Sequence, residues 1–239
     1  MKIKIVNLNI EGDKHLPEVI GLVERERPDL LCFQEIFQTD FNYFSGRFKM
    51  KGVFSPTVFI DQPGKPGFGK RGVYGIAMIG RLPGKFGSGY YFKRRGQGLP
   101  VYGGKPNSGN RAVVWQKINN GPTVAATHFT WSKAGQTTEK QRQELKGLIK
   151  LLVRVKPDVV NGDFNAPRGG EIWTKLTERF VDNIPAEIKT TLDPKLHYAN
   201  GVELVVDGFF TAPKNKTQVK SLRLVNEVSD HLAIVAEII

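Results

Sequence analysis

The hydrophobic positions of the chain repeat at two periods, and the alternation between them sets out its elements. "KIKIVNL" (2–8) alternates Lys with Ile before turning apolar and predicts a first strand. "LPEVIGLVERERP" (16–28) puts Leu16, Val19, Ile20 and Val23 on one face and predicts an amphipathic helix. "DLLCFQE" (29–35) predicts a buried strand that ends on an acid. Further on, "GVYGIAMIG" (72–80) and "YYFKR" (90–94) predict strands separated by long loops. "RAVVWQKI" (111–118) and "TVAATHF" (123–129) flank "NNGP", a hairpin signal. Leu145, Leu148, Ile149, Leu152 and Val153 predict a helix over 138–155. The strand of "PDVVNGDFNAP" (157–167) follows, then a helix near 170–180 and three strands in "VELVVDGFF", "SLRLVNEV" and "LAIVAEI". Strands mixed with a few helices, and no internal repeat, imply an α/β or α+β sandwich.

A chain of 239 residues with 40% apolar and 24% charged residues has the balance of a globular protein able to bury a core. No apolar run reaches the length of a membrane-spanning helix. The N-terminus lacks the continuous apolar core of a signal peptide, so a cytoplasmic protein is expected, as a monomer of one domain over 1–239. The single cysteine, Cys32, lies in an apolar run and is expected in the core.

Charge changes the picture more than composition does. The segment 41–111 holds thirteen Lys/Arg against one acid, Asp61, and so carries the whole formal charge of +12. It also holds 16 of the 26 glycines and 13 of the 21 Phe and Tyr. Bases interleaved with aromatic rings suit a surface that tracks phosphates and stacks bases; a polyanionic headgroup or an anionic membrane would also be attracted. A solvated basic face is the plainer alternative.

The chemistry is concentrated where apolar strands stop. The first strand ends on Asn9, the second on Glu35, the 123–129 strand at His128, and "VVNGDFN" on Asp163 and Asn165. Asp207 sits inside an apolar run, and Asp230-His231 stand directly before a strand. Side chains alternate along a strand, so Asp163 and Asn165 are expected on one face. A buried carboxylate needs a partner or a cation. Oxygen ligands without a thiolate cluster or a His-x-x-x-His pair favour Mg²⁺ or Mn²⁺ over Zn²⁺. The histidines are then left for proton transfer or for donation to a phosphate oxygen. Asn7 shares a strand face with Asn9 and is the alternative ligand. His15 and His197 are expected on the surface, and Trp115 and Trp173 in the core; Trp131 could line the site.

Taken in order, Asn9-Ile10, Phe33-Gln34-Glu35, Thr127-His128, "GDFN" at 162–165, Asp207 and "SDH" at 229–231 resemble the endonuclease/exonuclease/phosphatase superfamily, in its two-histidine, deoxyribonuclease-like branch. The resemblance implies a four-layer αββα sandwich and metal-dependent cleavage of phosphoesters. It implies Glu35 as principal metal ligand, with Asn9 alongside and Asp230 assisting. Asp163 resembles the residue that positions or deprotonates the attacking water, and Asn165 the one that contacts the phosphate. His231 resembles the group that donates to a non-bridging oxygen or acts as general base, held by Asp207. His128 resembles the branch's second histidine, and Arg111 a phosphate-contacting arginine. Two departures stand out. Where relatives carry an upstream glutamate that pairs with this histidine, the segment 41–111 offers only Asp61 in a loop-like "IDQPG", and Gly208 stands where many relatives carry Tyr.

The expectation is therefore a Mg²⁺-dependent nuclease or nucleic-acid-end phosphodiesterase, with DNA ahead of RNA as partner. The alternatives are a phospholipid or inositol-phosphate hydrolase and a catalytically silent nucleic-acid-binding module.

Overall fold

Strand β1 (Ile3–Asn9), helix α1 (Leu16–Glu26) and strand β2 (Leu30–Phe37) form a unit in which both predicted periods are realised. In this computed structural model, which describes all residues except 64–66, 95, 97, 105, 200 and 214–216, β1 and β2 pair in parallel. Lys65, Arg95 and Lys105 of the basic segment thus lie outside the described residues. Val6, Leu8 and Ile10 on one face of β1 pack with Val19, Leu22 and Val23 of α1. Ile3 and Ile5 on the other face enter the main core. The helix stops at Arg27, which takes a left-handed φ of 47°, and Pro28 prevents its continuation. Asp29 then accepts the backbone N–H of Lys4 at 2.9 Å and fixes where β2 begins.

Strand β7 (Thr123–His128), helix α3 (Glu139–Val155) and strand β8 (Val159–Asp163) repeat this arrangement in the second half. A reciprocal cap between Thr138 and Gln141 starts α3. Lys156, with φ of 53°, ends it before Pro157, and Asp158 accepts the N–H of Thr123 at 2.7 Å. The sequence shows no repeat, yet the two crossovers close with the same devices.

Ten further elements complete the fold: α2 (Gln38–Arg47), β3 (Lys51–Ile60), β4 (Gly72–Gly80), β5 (Gly84–Phe92), β6 (Arg111–Ile118), α4 (Glu171–Thr177), β9 (Val181–Asp182), β10 (Asp207–Thr211), β11 (Val219–Val225) and β12 (Ala233–Ile238). They build two mixed six-stranded sheets, ordered β11-β12-β1-β2-β4-β3 and β5-β6-β7-β8-β10-β9. Cys32, Ile76, Met78, Ile234 and Ala236 of the first sheet meet Val114, Ala126 and Phe209 of the second in the main core. Helices α1 and α2 cover the outer face of the first sheet, and α3 and α4 lie on the second. The architecture is the four-layer α/β sandwich. Cys32 and Trp173 are buried and Trp115 packs against the core, as expected. Among the described residues no helix is long and apolar enough to cross a membrane.

Three expectations change. The stretch 38–60 is not loop: it forms α2 and the ten-residue β3, in which Pro56 sits at a bulge against β4. "YYFKR" is the tail of a strand that starts at Gly84, where glycines leave room for the neighbouring strand and Trp115. "VELVV" is not strand, and β10 begins only at Asp207.

The aromatics of the basic segment are also mostly turned inward. Phe44 is buried against Phe33, Phe41 and Phe54 pack together, and Tyr91 stacks on Phe129. Phe68 and Tyr74 join Phe37 in a separate cluster beside the ends of β3 and β4. Apolar burial decided their place, so they form little of an exposed stacking surface.

Candidate active site

The parallel pairs explain why the polar strand ends meet. Strands β1, β2, β7 and β8 run toward one edge of the sandwich. There β1, β7 and β8 end on Asn9, His128 and Asp163, whereas β2 runs on to Phe37 and carries Glu35 two residues before its end rather than at it. Their antiparallel neighbours start at that edge, which adds Arg111 at the head of β6, Asp207 at the head of β10 and Asp230-His231 just before β12. Ligands of open α/β sheets bind outside such carboxyl ends.

Side chains from the two sheets touch across this mouth. Asn9 Nδ2 donates to Asp163 Oδ2 at 3.2 Å, and its Oδ1 accepts the N–H of Glu11 at 3.2 Å. Asn7, the other candidate, lies deeper, where Gln34 Nε2 donates to its Oδ1. Asp207 pairs opposite Asp163 across β8 and β10, and its Oδ2 lies 2.7 Å from His231 Nδ1. His231 Nε2 faces Asp163 Oδ2 at 3.9 Å.

Asn165 reaches Asp163, although not by the expected alternation. The strand ends at Asp163, and Asn165 turns back with φ of 48°. Its N–H donates to Asp163 Oδ1 at 2.7 Å, and its Nδ2 to Asp163 Oδ2 at 3.1 Å. A turn closed by the aspartate brings the pair together. Glu35 is likewise aimed by a bulge: β2 shifts register against β4 between Phe33 and Ile36, and Glu35 has φ of 58°. Tyr74 donates its hydroxyl to Glu35 Oε2 at 2.6 Å.

The partners of His128 are now visible. Its Nε2 lies 3.5 Å from Asp163 Oδ2 and 3.7 Å from Glu35 Oε1. The carboxylates come from strands on either side of the basic segment rather than from within it.

These surroundings move the acids and bases apart. Burial, with Asp207 adding to it, pushes the Asp163 carboxyl up to about 7, against the pull of His231 and its hydrogen bonds. Burial works against a charge on His231, but Asp207, Asp163 and Asp230 outweigh it and raise its pKa well above the usual value. His128 goes the other way, well below, through burial and the positive charges of Arg111 and His231. Asp230 rises to about 6 through burial, with Glu11 and Glu35 adding repulsion.

Two groups could hold a metal ion. Ligand atoms of Asp163, Asp207 and His231 lie within 4.8 Å of one another, all buried. However, both oxygens of Asp163 and one of Asp207 are already hydrogen-bonded, and the charge favoured on His231 opposes a cation. Asn9, Glu35 and Asp230 also have hydrogen-bonded oxygens, from Glu11, Tyr74 and Ser229. But they line open space, present only oxygen ligands and no cationic ring, and include two carboxylates that repel each other. That donor set fits Mg²⁺ or Mn²⁺.

Two cavities of about 460 and 350 Å³ meet at Glu35, Asn165 and Asp230, with Trp131 and Tyr198 lining both. Arg111 lines the larger and His231 the smaller. His197 is not the surface residue expected: half-buried in the smaller cavity, its ring stands 6.1 Å from that of His231. His15 is also half-buried, held by Glu11 at 3.1 Å. Among residues the sequence did not single out, Thr191 Oγ1 accepts the N–H groups of both Val206 and Asp207 at 3.0 Å. Its own backbone carbonyl accepts the N–H of Leu232 at 2.7 Å, tying the two histidine-dyad segments together. No periodicity marks Thr191 or Tyr74, because their partners are distant in sequence.

Comparison with known proteins agrees with this fold. The family model described as Endonuclease/Exonuclease/phosphatase family matches residues 6–231. The catalytic domain of human nocturnin, solved with a bound sulfate, superposes with a TM-score of 0.70 at 17% identity, covering 100% of this chain and 93% of that one. D. rerio TDP2, complexed with a single-strand DNA product, gives 0.66 at 16% identity, covering 100% and 99%. A mannosyl-6-phosphatase of Bacteroides thetaiotaomicron gives 0.67 at 13% identity, covering 99% of each chain. No curated protein sequence matches the chain.

Proposed function

The chain belongs to the endonuclease/exonuclease/phosphatase family, hydrolases acting on phosphoesters, and on that premise we propose that it is a Mg²⁺-dependent nuclease or nucleic-acid-end phosphodiesterase, with DNA ahead of RNA. The observation that carries this reading is the meeting, at one sandwich edge, of the His231–Asp207 dyad, the Asp163–Asn165 turn and the Glu35 and Asp230 carboxylates.

In this reading a water attacks phosphorus in line. An oxygen–phosphorus bond forms as the bond to the leaving oxygen breaks; Asp163 takes the proton the water sheds, and the leaving oxygen takes up a proton from solvent. A pKa of about 7 suits Asp163 to that exchange at neutral pH. His231 stays protonated against Asp207 and donates Nε2–H to a non-bridging oxygen. Asn165 Nδ2 contacts the same phosphate. His128, kept neutral, hydrogen-bonds at the opposite side of the phosphate, and Arg111 adds a fixed charge there. Asn9, Glu35 and Asp230 would hold the cation, which when bound neutralises charge on the phosphate.

A second reading keeps these roles and changes the substrate to a compact phosphate ester, such as an inositol or sugar phosphate. Two spaces of about 460 and 350 Å³, within the range of small-ligand sites, favour it. Rates on labelled single- and double-stranded DNA, against sugar and inositol phosphates, with Mg²⁺ and with EDTA, test both. Cleavage of DNA that is lost in Glu35→Gln and His231→Ala is expected. Turnover of inositol or sugar phosphates with none of DNA would replace the first reading by the second.

A further inference from the structure

Trp131 and Tyr198 are 37% and 77% exposed, and they stand where the two cavities meet. A large ring left in water beside a reaction centre has apolar area available for a ligand. The peptide that carries the indole is unusually well fixed. Its N–H donates to Asn107 Oδ1 at 2.9 Å, and its carbonyl accepts from Asn107 Nδ2 at 2.8 Å. The same Oδ1 accepts Arg111 Nη2 at 2.6 Å. Asn107 holds this position with a left-handed φ of 62°. One amide therefore sets the guanidinium and the Trp131 backbone within about two hydrogen-bond lengths of each other.

Arg111 points to what this device holds. It is only 8% exposed and lines the larger cavity, yet its Nε has no partner among the described residues. A buried donor on a cation is costly to leave unpaired, and an anion in the cavity would satisfy it. Lys14 lines the same space.

We infer that this cleft takes an unpaired nucleotide, its base against Trp131 and the phosphate attached to it on Arg111. The inference rests on the phosphoesterase reading above for the identity of that phosphate. A base inside a duplex is already stacked on both faces and cannot offer one to the indole. The substrates are then nucleic-acid ends or single strands rather than duplex interiors, and the base beside the scissile phosphate supplies part of the binding. Stacking tolerates all four bases, so little sequence preference is expected.

The test is binding of 2′-deoxyadenosine 5′-monophosphate to the full chain, followed by tryptophan emission, in Mg²⁺ and again in EDTA. Deoxyribose 5-phosphate and inorganic phosphate serve as base-free probes. Saturable quenching by the nucleotide alone is expected, and its loss in Trp131→Phe, because neither Trp115 nor Trp173 lines the cleft. By calorimetry, Trp131→Ala weakens the nucleotide roughly ten- to a hundred-fold and leaves phosphate unchanged. Trp131→Phe, which keeps a ring, binds within a few-fold of wild type. Asn107→Ala weakens nucleotide and phosphate together, because both anchors lose their common support. Equal affinity for nucleotide and deoxyribose phosphate, or quenching that persists in Trp131→Phe, overturns the inference. Binding needs no turnover, so nucleotide stacking without hydrolysis would sink only the enzymatic reading. Hydrolysis of single-stranded DNA with kcat/KM unaffected by Trp131→Ala would sink only this one.

Discussion

His231 Nδ1 lies 2.7 Å from Asp207 Oδ2, a buried contact between a residue that precedes β12 in one sheet and the first residue of β10 in the other. The carboxylate fixes which ring nitrogen faces Asp207 and favours a charge on the imidazole. Asp207→Asn keeps the shape and removes that support. A fall in kcat of roughly 10²- to 10⁴-fold is expected, with a much smaller change in KM. Steady-state kinetics on a single-stranded substrate check it; a kcat within three-fold of wild type would remove the dyad from the mechanism.

Metal removal should abolish turnover, and added Mg²⁺ or Mn²⁺ should restore it. If Asn9, Glu35 and Asp230 form the ligand set, Glu35→Gln weakens Mg²⁺ and abolishes the rise in melting temperature that the ion gives. Tyr74→Phe, which deletes the hydroxyl on Glu35, weakens Mg²⁺ by about ten-fold. Asp207→Asn leaves Mg²⁺ binding within a few-fold. The reverse ranking, by titration calorimetry, would put the ion on the Asp163–Asp207–His231 group instead.

Glu26 ties α1 to the edge of the first sheet through Arg223 at 2.6 Å, with Arg25 at 3.2 Å and Lys4 at 3.8 Å. Burial alone would raise its pKa, but these cations outweigh it and hold the carboxyl below the usual value. A depressed folded-state pKa gives stability that is full above the unfolded value and lost as pH falls through the folded one. Wild type should therefore exceed Glu26→Gln by about 1 kcal/mol at pH 7. Urea unfolding should show the gap closing below pH of about 4.3. A gap that stays constant to lower pH would mean that packing, not charge, is involved.

Gly208 accounts for the missing aromatic next to Asp207. A Cβ there would lie 2.3 Å from the Phe210 ring and 2.9 Å from Phe164. Those rings pack edge-on and tilted with Trp173 and fill the space that a side chain at 208 would occupy. Gly208→Ala should destabilise by about 1–3 kcal/mol through overpacking. It should also lower activity, because Asp207 is its neighbour. Thermal unfolding measures the first effect, and an unchanged melting temperature would show that the rings yield.

Much of the site was legible because it depends on local pattern. Asn9, His128 and Asp163 end apolar strands and Glu35 lies near the end of one, so the apolar runs were enough to find them. The aromatic-rich basic segment misled for a physical reason. Phe and Tyr contribute more by burial than by exposure, so Phe44 went into the core and Phe41, Phe54 and Tyr91 pack against it. The exposed rings at the cleft, Trp131 and Tyr198, come from outside that segment. Asn107 and Thr191 left no signal, since what matters about them is which distant backbone groups they hold.

By itself the sequence determined a sandwich of mixed α/β character, most of the strands and the inventory of oxygen and imidazole groups, because periodicity and burial act over a few residues; the four layers were only what the family resemblance implied. Only the tertiary structure decided which of those groups touch. Parallel pairing brought four strand ends to one edge, a bulge turned Glu35, and a left-handed turn folded Asn165 back on Asp163. Contacts of this kind depend on register and on backbone angle, which couple residues far apart in the chain.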